Sequence, residues 1–282
     1  MPELPEVETM VRGIQPHVTG RKIRVFRDCG SSRKPISVRP ELPELTRRLT
    51  GNTISGVRRL GKRVVLDLQD GASLVIEPRM TGLVVLTDPP TVDHLRLEWE
   101  FAGRGAYNRL WFWDRRGLGT VRLFEPGELD AAMAGVLGPD ALIAEKAHWK
   151  TVCSRTSRAI KVLLLDQTRL AGIGNLYASE ILHVAKLSPA RPANSLTGRE
   201  VDRLFAAARA VLAEAIQYEG STLGDGTYRN ALNKAGGYQN IHRVYMKAGQ
   251  PCGTCRKGIV ERIVQAQRST FFCPQCQGRA SE

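Results

Sequence analysis

Leu95-Arg96-Leu97-Glu98-Trp99-Glu100-Phe101 alternates apolar and charged residues without interruption, a period of two that puts every second side chain on one face of a strand. Outward from it the signature recurs. Ile23 and Val25 alternate with Lys22 and Arg24, while Val64–Leu68, Leu74–Ile76, Leu83–Leu86, Leu110–Trp113 and Val121–Leu123 are short apolar runs. Gln69-Asp70-Gly71 and Asp88-Pro89-Pro90 supply turn chemistry between them. Many short strands as far as about residue 125, with no helix among them, predict a β-sandwich or barrel. Ahead of it, residues 5–20 predict a helix with Val7, Met10, Val11 and Ile14 on one face, ended or kinked by Pro16 and closed by Gly20.

Past residue 125 the pattern changes. Gly135, Gly138 and Pro139 mark a linker, and helices are predicted over Ser157–Asp166 and Asn175–Ala185. Thr197-Gly198-Arg199-Glu200 is a capping box opening a third helix. Its stripe of Val201, Leu204, Phe205, Ala208, Val211, Leu212 and Ala215 keeps helical spacing and reads as core. Residues 219–240, rich in Gly, Asn and Thr, predict a long mobile loop. The expected architecture is α+β and multidomain. A β-sandwich domain with a packed helix spans 1–135, a linker 136–150, a helical domain 151–247 that includes the loop, and a small C-terminal module 248–282.

That last module carries the most specific signal. Cys252-x-x-Cys255 and Cys273-x-x-Cys276, with 17 residues between the pairs, fit a tetrahedral four-thiolate zinc site. Four protein ligands leave no open position, so the ion is structural. Ile259–Val264 and Thr270–Phe272 predict the hairpin of a zinc ribbon, with Gln265-Ala266-Gln267-Arg268 at its tip. Four of the six cysteines sit here, which points to a reducing compartment rather than a disulfide framework. The 282 residues are 42% hydrophobic and 24% charged, as in an ordinary globular protein. Lys and Arg number 41 against 28 Asp and Glu, a net charge of +13 that favours a polyanionic partner, nucleic acid before anionic membrane. Arg256, Lys257, Arg262, Arg268 and Arg279 concentrate that charge around the ribbon. No apolar run approaches a membrane span and the acidic start lacks an apolar segment, so neither a transmembrane helix nor a signal peptide is predicted.

Several short stretches could carry chemistry. Removal of Met1 would expose Pro2 as a secondary amine beside Glu3, and an α-amine titrates at about 7.7–8.0, so much of it is neutral at neutral pH. Such an amine attacks carbonyl-like carbons, and a proline adduct is an iminium, a strong electron sink. Met-Pro is also a common, inert start. Gly172-Ile173-Gly174-Asn175 opens a helix, where free N–H groups bind phosphate or where Gly simply permits a tight helix connection. The turns Gly61-Lys62-Arg63, Glu77-Pro78-Arg79-Met80-Thr81-Gly82 and Asp114-Arg115-Arg116-Gly117-Leu118-Gly119 are basic, and Met80 and Leu118 could serve as apolar wedges in a base stack.

Taken together, Pro2-Glu3-Leu4-Pro5-Glu6-Val7-Glu8-Thr9, Arg12-Gly13-Ile14, Gly174-Asn175-x-Tyr177-Ala178-Ser179-Glu180 and Gln267-Arg268-x-Thr270-Phe271-Phe272-Cys273 resemble the bacterial formamidopyrimidine-DNA glycosylase family, in the same order from residue 2 to the last knuckle. The resemblance implies a DNA glycosylase and abasic-site lyase of base excision repair acting on oxidised purines such as 8-oxoguanine and formamidopyrimidines. Pro2 would be the nucleophile at C1′, Glu3 the proton carrier, Lys62 the β-elimination acid, and Arg268 a phosphate ligand serving δ-elimination. Asn175 and Lys161 would hold the phosphates flanking the lesion. His94 and Arg116 would contact DNA, Arg116 facing the orphaned base, while Met80 and Leu118 fill the stack. The helical region would be a helix–two-turn–helix, with 219–240 covering the lesion and Cys252, Cys255, Cys273 and Cys276 binding one zinc ion. The partner is duplex DNA, with no membrane, for a monomer in the bacterial cytoplasm. Three positions depart from the family: Glu77-Pro78-Arg79 precedes the wedge instead of His-Leu-Gly, Leu118 replaces Phe, and Arg63 replaces Tyr after Lys62. The alternatives are an endonuclease VIII-like preference for oxidised pyrimidines, and a catalytically silent damaged-DNA-binding zinc protein.

Overall fold

The structure, a computed structural model, describes residues 2–278; Met1, with its expected removal, and Arg279 lie outside the described residues. The chain folds into two compact units. One runs as far as Ala134 and takes back Ile216–Gln239; the other comprises Gly135–Ala215 and the chain from Asn240 onward.

The first unit opens with α1 (Leu4–Val18), followed by β1 (Ile23–Asp28), β2 (Ser37–Arg39), α2 (Leu42–Leu49), β3 (Ile54–Leu60), β4 (Arg63–Leu68), β5 (Ser73–Glu77), β6 (Gly82–Val85), β7 (Leu95–Phe101), β8 (Arg109–Asp114), β9 (Thr120–Phe124) and α3 (Glu128–Met133). Two sheets form, in the orders β1-β7-β8-β6 and β2-β9-β5-β4-β3, antiparallel except for β2 beside β9. They share one core, in which Val7, Met10 and Ile14 of α1 meet Phe26, Leu66, Leu83, Trp99 and Phe112. The sandwich with a packed helix is therefore present. Pro16 does not end α1: it lies inside the helix, which continues to Val18. An interior Pro costs about 3 kcal/mol. Full burial of Ile14 and Val18, worth roughly 1.5–3 kcal/mol each, offsets it.

The expectation of no helix among the strands fails at α2. Leu45 and Leu49 are buried four residues apart, with Pro43 in the first turn. In β7 the alternation holds, but Arg96 and Glu98 on the polar face are buried as well. Trp111 Nε1 (3.0 Å) and Arg27 Nη2 (2.6 Å) donate to the Glu98 carboxylate, so that face is closed by satisfied polar groups rather than by solvent. Of residues 219–240, expected as a loop of the helical domain, all but Asn240 belong to the first unit. They are densely bonded: the Thr222 N–H donates to Gln239 and Asn230 Nδ2 to Glu219, both at 2.9 Å, with Tyr228 and Tyr238 buried.

The second unit contains α4 (Lys146–Ser154), α5 (Ile160–Leu164), α6 (Asn175–Val184) and most of α7 (Gly198–Gln217), then the hairpin β10 (Glu261–Gln265) and β11 (Arg268–Phe272) and the short α8 (Pro274–Gln277). Residues 136–150 are not bare connection, since Asp140 bridges Ala171 and α4 begins at Lys146. The α7 stripe is buried as its spacing predicts, apart from Phe205, which is half-buried against Trp149.

The capping box forms at the start of α7. The Thr197 N–H donates to Glu200 (2.8 Å), the Glu200 N–H to Thr197 Oγ1 (3.3 Å), and Arg191 forks onto the same carboxylate. The Arg191 guanidinium, outweighing a small burial effect, holds Glu200 at about 2 against an ordinary 4.5. A depressed carboxyl stabilises the fold above its ordinary value and loses that contribution as pH falls through the depressed one. Glu200→Gln should therefore lower Tm at neutral pH, with the gap to wild type closing between pH 4.5 and 2. Thermal melts across that range test this, and a gap independent of pH would refute the assignment.

Candidate functional site

Pro2 and Glu3 are both buried where α1 begins, Glu3 being its N-cap residue. The Glu6 carboxylate accepts the Glu3 N–H through Oε2 and the Ser221 N–H through Oε1, each at 2.9 Å. Tyr228 lies fully buried beside it and donates its hydroxyl to the Glu219 carbonyl (3.0 Å). Burial, reinforced by the Glu6 charge, raises that phenol, so it stays a donor at neutral pH. Two residues along α1, burial works to raise the Glu8 carboxyl, but Arg59 and Arg12 outweigh it and lower it. Arg59 Nε meets Glu8 at 2.8 Å and its Nη1 donates to the Gly61 carbonyl at 3.1 Å. Leu60 pairs with Arg63 across a two-residue turn, so Arg59 ties α1 to the turn that carries Lys62.

Arg63 in turn pairs with Glu77 (3.1 Å) at the end of β5, which leads into the Met80 loop. That loop crosses from one sheet to the other, and so does the 114–119 loop between β8 and β9. Because Gly82 pairs with Asp114 and Glu77 with Thr120, the two crossings run side by side. Met80 and Arg116 are exposed there and Leu118 is half-buried. Gly117 has φ +60°, and a Cβ on it would come within 2.2 Å of the Lys34 carbonyl oxygen, so no other residue fits this turn. His94 stands edge-on to Trp113, ring centroids 5.5 Å apart. Burial and the Arg33 and Arg96 cations hold its imidazole below the ordinary range, so it is neutral at pH 7. Pro2, Glu3, Lys62, Met80, His94, Arg116 and Leu118 thus share the first unit.

In the second unit Lys161 is wholly buried, and its Nζ donates to Asn175 Oδ1 at 2.6 Å. Asn175, the first residue of α6, donates through Nδ2 to the Ser269 carbonyl at 2.9 Å. Gln167 fixes the preceding turn by accepting the Gly172 N–H (3.0 Å) and donating to the Ile173 carbonyl (2.8 Å). The helix start and the hairpin are thereby joined, with exposed Arg268 next to Ser269. Ala266 and Gln267, both at positive φ, form the hairpin turn, and Arg268 opens the returning strand opposite Gln265.

The four cysteine Sγ atoms lie within 4.8 Å of one another, with Cys252–Cys276 at 3.8 Å and Cys255–Cys273 at 3.7 Å. A tetrahedron with Zn–S bonds of about 2.3 Å has edges of about 3.8 Å, so these residues fit one zinc ion. Four thiolates this close repel unless a cation lies among them. The N–H groups of Gly258 and Lys257 lower the Cys255 thiol, while burial raises those of Cys273 and Cys276. Val244, Val260 and Phe271 pack around the knuckles as a small core.

Sequence reasoning missed Glu6, Arg59 and Asp114, the groups that hold the candidate residues in place. Glu6 and Asp114 sat within motifs singled out for other residues; Arg59 gave no local signal.

Three families match the chain: Formamidopyrimidine-DNA glycosylase N-terminal domain over residues 1–121, Formamidopyrimidine-DNA glycosylase H2TH domain over 137–226, and zinc finger found in FPG and IleRS over 249–278. The chain is 40% identical to the formamidopyrimidine-DNA glycosylase of Paracoccus denitrificans, covering 98% of this chain and 100% of that one. It is also 40% identical to that of Thermus thermophilus, covering 99% of each. The crystal structure of the T. thermophilus MutM (Fpg) protein superposes with a TM-score of 0.84 over 98% of this chain and 99% of that one, at 40% identity. That of Lactococcus lactis Fpg in complex with abasic-site DNA gives 0.85 over 98% and 100%, at 31% identity.

Zinc analysis of the purified protein should give one equivalent, falling towards zero in Cys273→Ser. Thiol titration with a metallochromic indicator should release the metal and the four thiols together, and a metal-free wild type with an intact hairpin would contradict the site.

Proposed function

The chain belongs to the formamidopyrimidine-DNA glycosylase family, and from that premise we propose how its residues divide the work of a DNA glycosylase and abasic-site lyase in base excision repair. The observation that carries the reading is the burial of Pro2 and Glu3 at the start of α1, with Glu6 fixing the backbone between them and the 219–240 segment. An amine held there, once Met1 is removed, is a nucleophile whose approach is set by backbone hydrogen bonds rather than by a flexible tail.

Pro2 nitrogen attacks C1′ of the damaged nucleotide, and the base leaves with its bonding pair and takes up a proton. Glu3 protonates the ring oxygen as the sugar opens, giving the iminium. Loss of a C2′ proton expels the 3′ phosphate, with Lys62 supplying a proton, and a second elimination assisted by Arg268 expels the 5′ phosphate. Water then hydrolyses the iminium and frees Pro2. Taking the base out of the duplex costs a few kcal/mol. Met80 and Leu118 offset this by filling the stack, while Arg116 faces the orphaned base and His94 contacts the backbone. In the second unit the Asn175 group, braced by Lys161, holds phosphate together with Arg268. Oxidised purines are the proposed substrates; a relative from L. lactis has been crystallised on Fapy-dG DNA. Among the described residues no helix is long and apolar enough to cross a membrane. The proposed form is a monomer acting in the bacterial cytoplasm.

Borohydride reduction during reaction with an 8-oxoguanine duplex should trap the protein, with the adduct mapping to Pro2 and the intact mass lacking Met1. Tight binding without an adduct would remove the lyase reading. Glu3→Gln should slow excision by about 10²–10⁴-fold, the usual range for lost acid–base catalysis, while leaving the Kd for the duplex near wild type. Lys62→Ala and Arg268→Ala should each reduce the slope of log affinity against log salt by about 0.9 if each replaces one phosphate counterion.

A further inference from the structure

We propose that Asp114 and Thr81 are positioning residues that lock the Met80 and Arg116–Leu118 loops into one rigid probe, and so help set which base is accepted opposite the lesion. The inference rests on the reading above, in which these loops enter the base stack.

Asp114 is completely buried at the end of β8, yet among the described residues no cationic side chain pairs with its carboxylate; its partners are loop N–H groups and one hydroxyl. Oδ2 accepts the N–H groups of Leu118 (2.8 Å) and Gly119 (2.7 Å). Oδ1 accepts the Thr81 hydroxyl (2.5 Å) and, at 3.2 Å, the N–H of Arg116. That same Arg116 N–H reaches Thr81 Oγ1 at 3.0 Å. The hydroxyl therefore donates to one loop's carboxylate and accepts from that loop's backbone, although Thr81 belongs to the other. The carbonyl of Asp114 is fixed too, by Arg96 Nε (3.0 Å) and Nη2 (2.9 Å).

Apart from Asp114 itself and the Arg96 that holds its carbonyl, every partner in this network is a proposed probe or its neighbour. Thr81 follows Met80, and the bonded N–H groups include those of Arg116 and Leu118 themselves. A loop of isolated turns would order only on insertion and would surrender part of its contact energy doing so. Two loops bridged by a buried, charge-assisted network arrive ordered, and a shift in one is passed to the other. Neither Thr81 nor Asp114 is exposed, so neither touches the opposing base; they act through Met80, Arg116 and Leu118.

The test is single-turnover excision of 8-oxoguanine placed opposite each of the four bases, comparing wild type with Thr81→Val, Thr81→Ser and Asp114→Asn. Valine keeps the shape of threonine without the hydroxyl, whereas serine keeps the hydroxyl. The ratio between the best and worst opposing base should fall by about fivefold or more in Thr81→Val, the scale of one net hydrogen bond, and stay near wild type in Thr81→Ser. Asp114→Asn, which puts an amide against N–H donors, should reduce it further. A purely structural role would slow all four duplexes alike and leave the ratio intact. An unchanged ratio in a folded, zinc-loaded Thr81→Val protein overturns the proposal even if Asp114→Asn fails to fold. If Met80→Ala and Arg116→Ala leave excision and opposite-base preference untouched in the wild-type background, the wedge reading itself fails, a result distinct from a silent Thr81→Val.

Discussion

The Glu6 carboxylate, placed between the N–H of Glu3 and the N–H of Ser221, is the interaction on which the first unit's chemistry depends. The first N–H groups of a helix have no partners within it. Glu6 satisfies one such group next to the proposed nucleophile and spends its other oxygen on a segment 215 residues away in sequence. Position at the start of the chain, where ends usually fray, is thereby set by long-range contacts. Gly13 extends the docking two turns further along α1: a Cβ there would come within 2.6 Å of Ala231 Cβ, so the Arg12-Gly13-Ile14 motif is a close-approach surface for the returning segment.

How much of this was legible follows from the range of each signal. Strand alternation and the two cysteine knuckles are local patterns, and the sandwich and zinc hairpin appeared where they were read. The short α2 was missed because its two buried leucines are too few to stand out within a long β pattern. The expectation that Pro16 ends or kinks α1 rests on local propensity, which ignores the burial of Val18 that carries the helix past it. The candidate residues were named from motifs, but the groups that orient them are distant in sequence: Arg59 joins Glu8 to Gly61, Thr81 meets Asp114, and Gln167 pins the turn before Asn175. The Arg59–Glu8 and Thr81–Asp114 pairs are 51 and 33 residues apart, beyond any local window, and Gln167, five residues from Gly172, carries no motif of its own.

Net charge is a poor guide to which cations meet a polyanion. Many arginines are already matched, Arg47 with Glu44, Arg48 with Glu125, Arg58 with Asp67 and Arg243 with Glu214. Exposed pairs of this kind add little stability, but they do withdraw charge from recognition. Lys161 illustrates the opposite case. Fully buried, it acts through Asn175 rather than on solvent, so the +13 excess of the sequence overstates the surface that can bind phosphate.

A common device underlies both units. Where regular structure cannot pair backbone N–H groups, a buried carboxylate does so: Glu6 beneath the first residues, Asp114 beneath the paired loops, and Glu180 in α6, which accepts the N–H groups of Arg243, Val244 and Tyr245 at 2.8–2.9 Å. The Glu180 clasp fixes the chain that leads into the zinc module. Gln277 Nε2 on the Leu187 carbonyl (2.9 Å) and Gln265 Nε2 on the Pro189 carbonyl (3.1 Å) hold the module to the helical part of its own unit. The metal therefore influences Arg268 indirectly. It closes the knuckles, the closed knuckles set the hairpin, and the hairpin offers the Ser269 carbonyl to Asn175. A buried anion surrounded by N–H donors costs desolvation that its hydrogen bonds must repay, and what it secures is irregular backbone held as firmly as a strand. That firmness is what a site needs when its reactive or probing residues sit on turns and chain ends rather than within helices and sheets.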